Sequence, residues 1–230
     1  MKILSLRKGF QADHSSTSYE FYAIDKPLNK SQRAAVGRLS SRAVPTKRRV
    51  GFIYHGDWAD LPGSWEPLVE KYYDIMYTES YDWWTLAMAF PTEPEKIAEI
   101  RHYEFCGCED LGVSVYSKGK RVIVSIDCRL DASVCFDDTY SDYNDYDFYD
   151  EDEDEEIDED TIASDDSLLN LLAQNREYLK NGDYRLLYGV WQKYGMVEDI
   201  DEESEEDVPP EPSGMDQLPE PVQTLLSLLE

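Results

Sequence analysis

The chain has 230 residues, of which 41% are hydrophobic, which is enough to bury one or two cores. Its formal net charge of -27 is concentrated in two runs: residues 1–130 carry 18 Lys and Arg against 17 Asp and Glu, whereas residues 137–166 carry 17 acids, residues 198–211 carry 9, and neither run has a base. The apolar part of MKILSLRKGF is too short for a signal peptide, and no stretch approaches the roughly 20 apolar residues of a membrane span. We therefore expect a cytoplasmic protein with a nearly neutral folded part, acidic segments and no membrane contact.

The first part of the chain predicts two strands and two helices. The aromatic-rich stretch 18–25 and Arg49–His55 predict strands on either side of a helix over about 30–42. Ser64 predicts the N-cap of a second helix. The apolar residues of this second helix recur at helical spacing, as Trp65, Leu68, Val69, Tyr72, Tyr73 and Met76.

The next segment predicts the centre of a sheet. Residues 83–90, WWTLAMAF, are nearly all apolar and predict a strand buried on both faces. A helix follows Thr92, and residues 112–117 and 121–127 predict a hairpin that turns at Gly119. Because FYAIDKP and AMAFP both lead from a strand through a proline into a helix, the fold class predicted is α+β, with a mixed sheet and helices from βαβ-like units.

Three further helices are predicted beyond the first acidic run. SLLNLLAQNREYLKNG and DYRLLYGVWQKYG are amphipathic, end at glycines and predict a C-terminal αα-hairpin, with Asp183 as the N-cap of its second helix. MDQLPEPVQTLLSLLE predicts a last amphipathic helix. The expected organisation is an α+β domain over 1–130, an acidic Tyr-rich segment over 131–165, the αα-hairpin over 166–197, an acidic Pro-containing linker over 198–214 and the last helix over 215–230, with both acidic segments disordered.

The acidic run contains an unusual density of aromatic rings. Five lie within ten residues, at Tyr140, Tyr143, Tyr146, Phe148 and Tyr149. Disordered linkers are poor in aromatic residues, so these rings indicate a segment that docks on a partner while the acids steer it onto a basic surface. The alternative of a solvated linker stays open.

An apolar stripe runs along the last predicted helix. It consists of Leu218, Val222, Leu225, Leu226 and Leu229. Such a stripe binds in the groove of a partner, or it packs on the αα-hairpin of its own chain, and the sequence favours neither.

Residues 27–56 contain no acid and form a basic patch. The patch could be a solvated face, a phosphate contact or the place where the acidic run folds back. Direct nucleic-acid binding is not expected, because the tethered polyanion competes for the same cations at high effective concentration. The cations are Arg33, Arg38, Arg42, Lys47, Arg48 and Arg49, with Lys26 and Lys30 beside them.

The cysteines and histidines predict neither a metal site nor a catalytic site. Cys106 and Cys108 form a C-x-C spacing rather than the paired C-x2-C of zinc sites, and Cys128 and Cys135 lie apart, so no metal or other cofactor is expected. The three histidines, His14, His55 and His102, lie in no catalytic motif, and we therefore expect no catalytic residue.

Several runs resemble a known family when they are taken together. YEFYAIDKPLNKSQRAAVGRLSSRA, HGDWADLPGSWEPLVEKYYDIMY, WWTLAMAFP, GDYRLLYGVW and PVQTLLSLL resemble an uncharacterised bacterial protein family encoded near SWIM-type zinc-finger proteins. The resemblance spans most of the chain and carries no activity, cofactor or catalytic residue. It implies a role beside a nucleic-acid-associated or multiprotein system.

These features predict a non-enzymatic protein-binding adaptor or regulatory subunit of a bacterial multiprotein system. The expected partner is a protein with a basic surface, contacted by the Tyr-rich segment and the last helix. One alternative is an acidic nucleic-acid mimic that inhibits a nucleic-acid-binding protein. A second alternative is an enzyme whose converging polar groups the sequence does not reveal.

Overall fold

A computed structural model describes residues 16–41, 43–55, 61, 63–80, 83–131, 167–195 and 208–230. The predicted α+β class is confirmed, since these residues form one seven-stranded sheet with helices on both faces. The strands are β1 (Ser16–Tyr22), β2 (Arg49–His55), β3 (Ile75–Ser80), β4 (Trp83–Pro91), β5 (Phe105–Cys106), β6 (Gly112–Lys118) and β7 (Arg121–Cys128). Their order across the sheet is β2-β1-β3-β4-β7-β6-β5.

The prediction of a mixed sheet with βαβ-like units is wrong, because all six strand pairings of the described sheet are antiparallel. β1 and β2 flank a helix, yet they are antiparallel neighbours. Two backbone hydrogen bonds, from Ala23 N to Arg48 O and from Leu28 N to Lys47 O, continue this pairing beyond the strand ends. The connection that contains α1 therefore leaves β1 and enters β2 at the same end of the sheet. A helix between two strands does not by itself require a parallel crossover.

Six α-helices lie within the described residues, together with a short 3-10 helix at Cys108–Asp110. The first helix begins with a capping box, in which the Asn29 side chain accepts from Gln32 N and the Gln32 side chain accepts from Asn29 N. It ends at Gly37, five residues earlier than predicted. The helices are α1 (Lys30–Gly37), α2 (Glu66–Lys71), α3 (Pro94–Arg101), α4 (Ser167–Lys180), α5 (Arg185–Tyr194) and α6 (Glu220–Leu228).

The predicted central strand is confirmed as β4, the fourth of the seven strands. Leu86 and Met88 point to one side of the sheet and Ala87 and Ala89 to the other, and all four are fully buried. A strand with both faces covered needs apolar residues at every position, which explains the continuous run WWTLAMAF.

The prediction of a helix from Ser64 to Met76 is wrong beyond Lys71, because β3 begins at Ile75. Ser64 has a φ of +65° and Trp65 is the N-cap, so Ser64 does not cap the helix. Ile75 and Met76 are both fully buried, on opposite sides of the sheet. Consecutive apolar residues in a strand buried on both faces happened to continue the helical spacing of the residues before them.

Two apolar layers enclose the sheet, and we name them by side. The front face lies beneath α3, α4, α5 and α6, and the back face lies beneath α1 and α2. Front-face strand residues include Tyr77, Leu86, Met88, Val124 and Ile126, and back-face strand residues include Phe21, Phe52, Met76, Ala87 and Ile123. None of the helices in the described ranges has the length and apolar character to cross a membrane.

Candidate functional site

A charged cleft opens at one end of the sheet, where β1 and β4 end and β3 and β7 begin. Its volume is about 530 Å³. The strand register places these strand ends together: Tyr22 of β1 pairs with Ile75 of β3, and Pro91 of β4 pairs with Arg121 of β7. The cleft is lined by Asp25, Lys26, Pro27, Leu28, Asn29, Gln32, Glu70, Lys71, Tyr72, Asp74, Pro91 and Arg121.

Asp74 forms the floor of the cleft and holds several chain segments together. Its Oδ2 accepts from the backbone N–H groups of Ile24 at 2.6 Å and Asp25 at 2.8 Å. Its Oδ1 accepts from Arg121 Nη2 at 2.7 Å, and the side chain is 6% exposed. The carboxylate is thus satisfied by charge-assisted hydrogen bonds, and it ties the end of β1 to the start of β7.

Arg121 supplies a positive charge in the cleft wall, next to Asp74. Its Nε donates to Val69 O at 3.1 Å and its Nη2 donates to Tyr73 O at 2.6 Å, in addition to the bond to Asp74. Its Nη1 has no protein partner among the described residues, and the side chain is 22% exposed in the cleft wall. One edge of this guanidinium is therefore committed to the fold, while the other edge is accessible from the cleft.

Arg176 of α4 lies behind the cleft with 0% of its side chain exposed. Its Nε donates to Ala89 O at 2.7 Å, its Nη1 to Glu177 Oε1 at 2.7 Å and its Nη2 to Asp25 Oδ2 at 2.6 Å. Nη2 is also 3.8 Å from Asp74 Oδ1. A buried arginine needs such partners, and these partners join α4 to the sheet and to Asp25.

The sequence analysis did not identify this network, although one signal for it exists. In α4, Asn175 and Arg176 lie on the same helical face as Leu172 and Leu179, and all four are buried. A charged residue within an apolar stripe indicates an internal ion pair. Its partners Ala89 and Asp25 lie 87 and 151 residues away in the chain, so the sequence alone could not identify them.

The apolar stripe of the last helix is occupied by its own chain. Val222 and Leu225 are fully buried, Leu229 is 5% exposed, and Leu218 and Leu226 pack against the same cluster. Leu226 also lies over Gly189 of α5, where an added Cβ would meet its side chain at 2.4 Å. Of the two alternatives left open by the sequence, the structure shows packing on the αα-hairpin, which corrects the expectation that this stripe contacts a partner.

The basic patch divides into exposed and structural residues. Lys26, Lys30, Arg38 and Lys47 are exposed, and Arg33 is half-buried. The remaining described members serve the fold: Arg48 Nη1 donates to Ala23 O and Ile24 O at 2.9 Å each, and Arg49 Nε donates to Glu20 Oε2 at 3.1 Å. Arg42 lies outside the described residues.

Other predicted site residues fall outside the part of the chain that the structure describes. They are Tyr140, Tyr143, Tyr146, Phe148 and Tyr149. Cys135, which was not predicted to belong to a site, also lies outside the described residues. Cys106 and Cys108 are exposed free thiols and Cys128 is a buried one. In the described ranges, no group of three or more His, Cys, Asp or Glu side chains is placed to hold a metal ion.

Comparisons with protein-family models, with curated proteins and with solved structures give no match. The resemblance to a bacterial family therefore stays a prediction. What the cleft offers chemically follows from its own residues: ionic contacts of both signs and amide hydrogen bonds from Asn29 and Gln32.

Proposed function

We propose that the protein is a non-enzymatic adaptor or regulatory subunit that binds another protein through residues 137–160, in the bacterial cytoplasm. The proposal is supported by how the fold uses its apolar residues. Within the described ranges, the exposed large hydrophobic residues are Val44, Ile53, Trp83 and Val208, on four separate segments. Isolated apolar residues of this kind are normal on a protein surface and do not form a docking patch.

The two acidic runs separate, along the sequence, elements that pack together in one core cluster. Residues of β7, α4, α5 and α6 belong to the same front-face cluster, although residues 129–166 separate β7 from α4 and residues 195–219 separate α5 from α6. Each run is therefore tethered at both ends to a folded scaffold. The 17 acids of residues 137–166 account for most of the net charge, so electrostatic steering of this chain onto a partner favours a basic partner surface.

The five aromatic rings within residues 140–149 supply a cluster of apolar side chains, which the described surface lacks. Aromatic residues are enriched among the side chains that dominate binding energy at protein interfaces. An acidic segment with rings combines steering by charge with anchoring by apolar contact. Because α6 packs on the αα-hairpin, we assign the partner contact to the Tyr-rich segment alone.

Two matched variants of the full chain test the proposal. The ring variant replaces Tyr140, Tyr143, Tyr146, Phe148 and Tyr149 by Ser and keeps every charge. The charge variant replaces the acids of residues 150–160 by Asn and Gln and keeps every ring. Both are immobilised beside the wild-type chain in lysate of the native host, and retained proteins are identified by mass spectrometry.

We expect the wild-type chain to retain a basic protein that the ring variant loses. The charge variant should still retain this protein, but its retention should depend less on the salt concentration of the lysate. Circular dichroism of both variants, unchanged from wild type, would show that the fold is intact. Retention of the same protein by the ring variant, with loss from the charge variant, would indicate a contact by charge alone. That result would contradict the adaptor proposal and favour a nucleic-acid mimic.

A further inference from the structure

We propose that the charged cleft binds a small zwitterion, a molecule with an ammonium group and a carboxylate separated by a few bonds. This inference is independent of the Tyr-rich segment and goes beyond the adaptor function. It rests on two groups of opposite charge in the cleft wall, each of which has unused hydrogen-bonding capacity.

The positive group is the guanidinium of Arg121. Its Nε and Nη2 are held by Val69 O, Tyr73 O and Asp74, which fixes the plane of the group. Its Nη1 has no protein partner within the described ranges, and the side chain is 22% exposed. A guanidinium held in this way presents N–H donors to a carboxylate without losing side-chain entropy on binding.

The negative group is the carboxylate of Asp25. Its Oδ2 accepts from the buried Arg176 at 2.6 Å, which fixes its position. Its Oδ1 has no protein partner among the residues described, and the side chain is 32% exposed. Oδ1 is therefore an acceptor for an ammonium group that enters the cleft.

The network between the two groups keeps them close together. Arg176 Nη2 lies 2.6 Å from Asp25 Oδ2 and 3.8 Å from Asp74 Oδ1, and that same Oδ1 lies 2.7 Å from Arg121 Nη2. Three short contacts, through Arg176 and Asp74, thus connect the carboxylate of Asp25 to the guanidinium of Arg121. A molecule with a few bonds between its charges spans such a separation, whereas the cleft volume of about 530 Å³ leaves room for its side group and for water.

The charge balance of the lining favours a zwitterion over a simple ion. Asp25, Glu70 and Asp74 carry negative charge, and Lys26, Lys71 and Arg121 carry positive charge. A simple anion would approach Arg121 but would be repelled by Asp25 and Asp74, and a simple cation would meet the opposite conflict. A zwitterion satisfies both groups at once.

Three matched probes test the inference on the full chain. β-Alanine carries both charges, propionate carries the carboxylate alone and ethylammonium carries the ammonium alone. Each is titrated at the same ionic strength into ¹⁵N-labelled protein, and binding is followed by the amide shifts of Ile24 and Asp25, which report on the cleft floor. We expect β-alanine to bind roughly tenfold more tightly than either half-molecule, since each charged contact contributes a factor of several in affinity.

Two variants make the test specific to the cleft. Asp25→Asn removes the acidic group and keeps an acceptor for Arg176, so we expect the preference for β-alanine over propionate to fall to within about twofold. Glu177→Gln is the matched control, because Glu177 also accepts from Arg176 but does not line the cleft. It should keep the tenfold preference.

Three outcomes would overturn the inference. One is β-alanine binding no more tightly than propionate and ethylammonium, which includes the case in which none of the three binds at millimolar concentration. Another is an equal loss of preference in Glu177→Gln and Asp25→Asn, which would assign the effect to Arg176 rather than to the cleft. The third is an unchanged preference in Asp25→Asn with an unchanged circular dichroism spectrum.

Discussion

The two faces of the sheet bury apolar surface in different ways. The back face lies under two short helices, and large rings pack on each other there. The ring of Phe21 in β1 lies 5.9 Å from that of Phe52 in β2 and 5.4 Å from that of Tyr73, which precedes β3, between ring centroids. The front face lies under four helices, the longest with 14 residues, and leucines of α4, α5 and α6 fill the layer. Aromatic side chains from the strands therefore occupy volume where little helical surface is present.

The front face also shows how little the acidic runs divide the molecule. The helices that follow residue 166 all belong to the front-face cluster. Because the two acidic runs flank them, the helices after residue 166 look in the sequence like separate segments attached to residues 1–130. By burial they supply about half of the front-face cluster, because apolar helix faces pack on the sheet whatever lies between them in sequence.

Truncation of a front-face leucine should give the largest loss of stability. Leu225 of α6 is fully buried, so Leu225→Ala should lower the free energy of unfolding by about 2–5 kcal/mol, measured by urea denaturation. Gln223→Ala, at an exposed position of the same helix, should change it by less than about 0.5 kcal/mol. Equal effects of the two substitutions would mean that α6 is an appendage rather than part of the core.

Removal of the buried arginine should rank second. Arg176→Met keeps most of the apolar volume but leaves Ala89 O without its donor, so we expect a loss of about 2–3 kcal/mol by the same measurement. Its carboxylate partners Asp25 and Glu177 are partly exposed and can be rehydrated, which limits the cost.

The comparison for this variant is a second arginine of the same hairpin. Arg185 pairs with Asp183 and is 18% exposed, so Arg185→Met should cost less, about 1 kcal/mol. A larger effect at Arg185 than at Arg176 would contradict the role of Arg176 as the link between α4 and the sheet.

The sequence predicted those elements whose signals are local. The predicted helix start near residue 30 is where the structure has the capping box of Asn29 and Gln32. The predicted hairpin turn at Gly119 has a φ of +63° at that residue. Both depend on residues within a few positions of one another. β4 was recognised for a related reason, since burial on both faces leaves a continuous apolar run.

The elements that were missed depend on distant partners. β3 was missed, and its first two residues were assigned to a helix, because its identity is set by pairing with β1 and β4 rather than by its own spacing. The cleft was missed for the same reason: Asp25, Asp74, Arg121 and Arg176 come together only through the strand order. No local pattern in the sequence marks these four residues as neighbours.

The link between α3 and the C-terminal hairpin has a smaller expected effect, with a dependence on pH. The Tyr184 hydroxyl donates to Glu99 Oε2 at 3.1 Å, and burial, together with Glu99, raises the pKa of Tyr184 from its usual value to about 12. Tyr184→Phe should cost about 1 kcal/mol at neutral pH, because it removes one hydrogen bond.

The stability difference between wild type and Tyr184→Phe should depend on pH in a definite direction. In the unfolded chain Tyr184 loses its proton near pH 10, but in the folded protein it keeps the proton until about pH 12. Stability from this group is therefore present below pH 10 and is lost as the pH rises toward 12. The difference in unfolding free energy between wild type and Tyr184→Phe should shrink over that interval, and a difference that stays constant with pH would contradict the assigned pKa.

Neutralisation of part of the acidic run should have the smallest effect on folding, and it tests the contrast between charge and burial most directly. Residues 150–160 lie between β7 and α4, whose apolar residues already pack in one cluster. If that cluster holds the front face together, the charge variant with Asn and Gln in residues 150–160 should unfold within about 0.5 kcal/mol of wild type at physiological salt. At low salt it should be slightly more stable, because self-repulsion among the acids is reduced. A loss of more than about 1 kcal/mol would mean that these acids contact the folded part, and the exposed cations Lys26, Lys30 and Lys47 would then be the first residues to substitute.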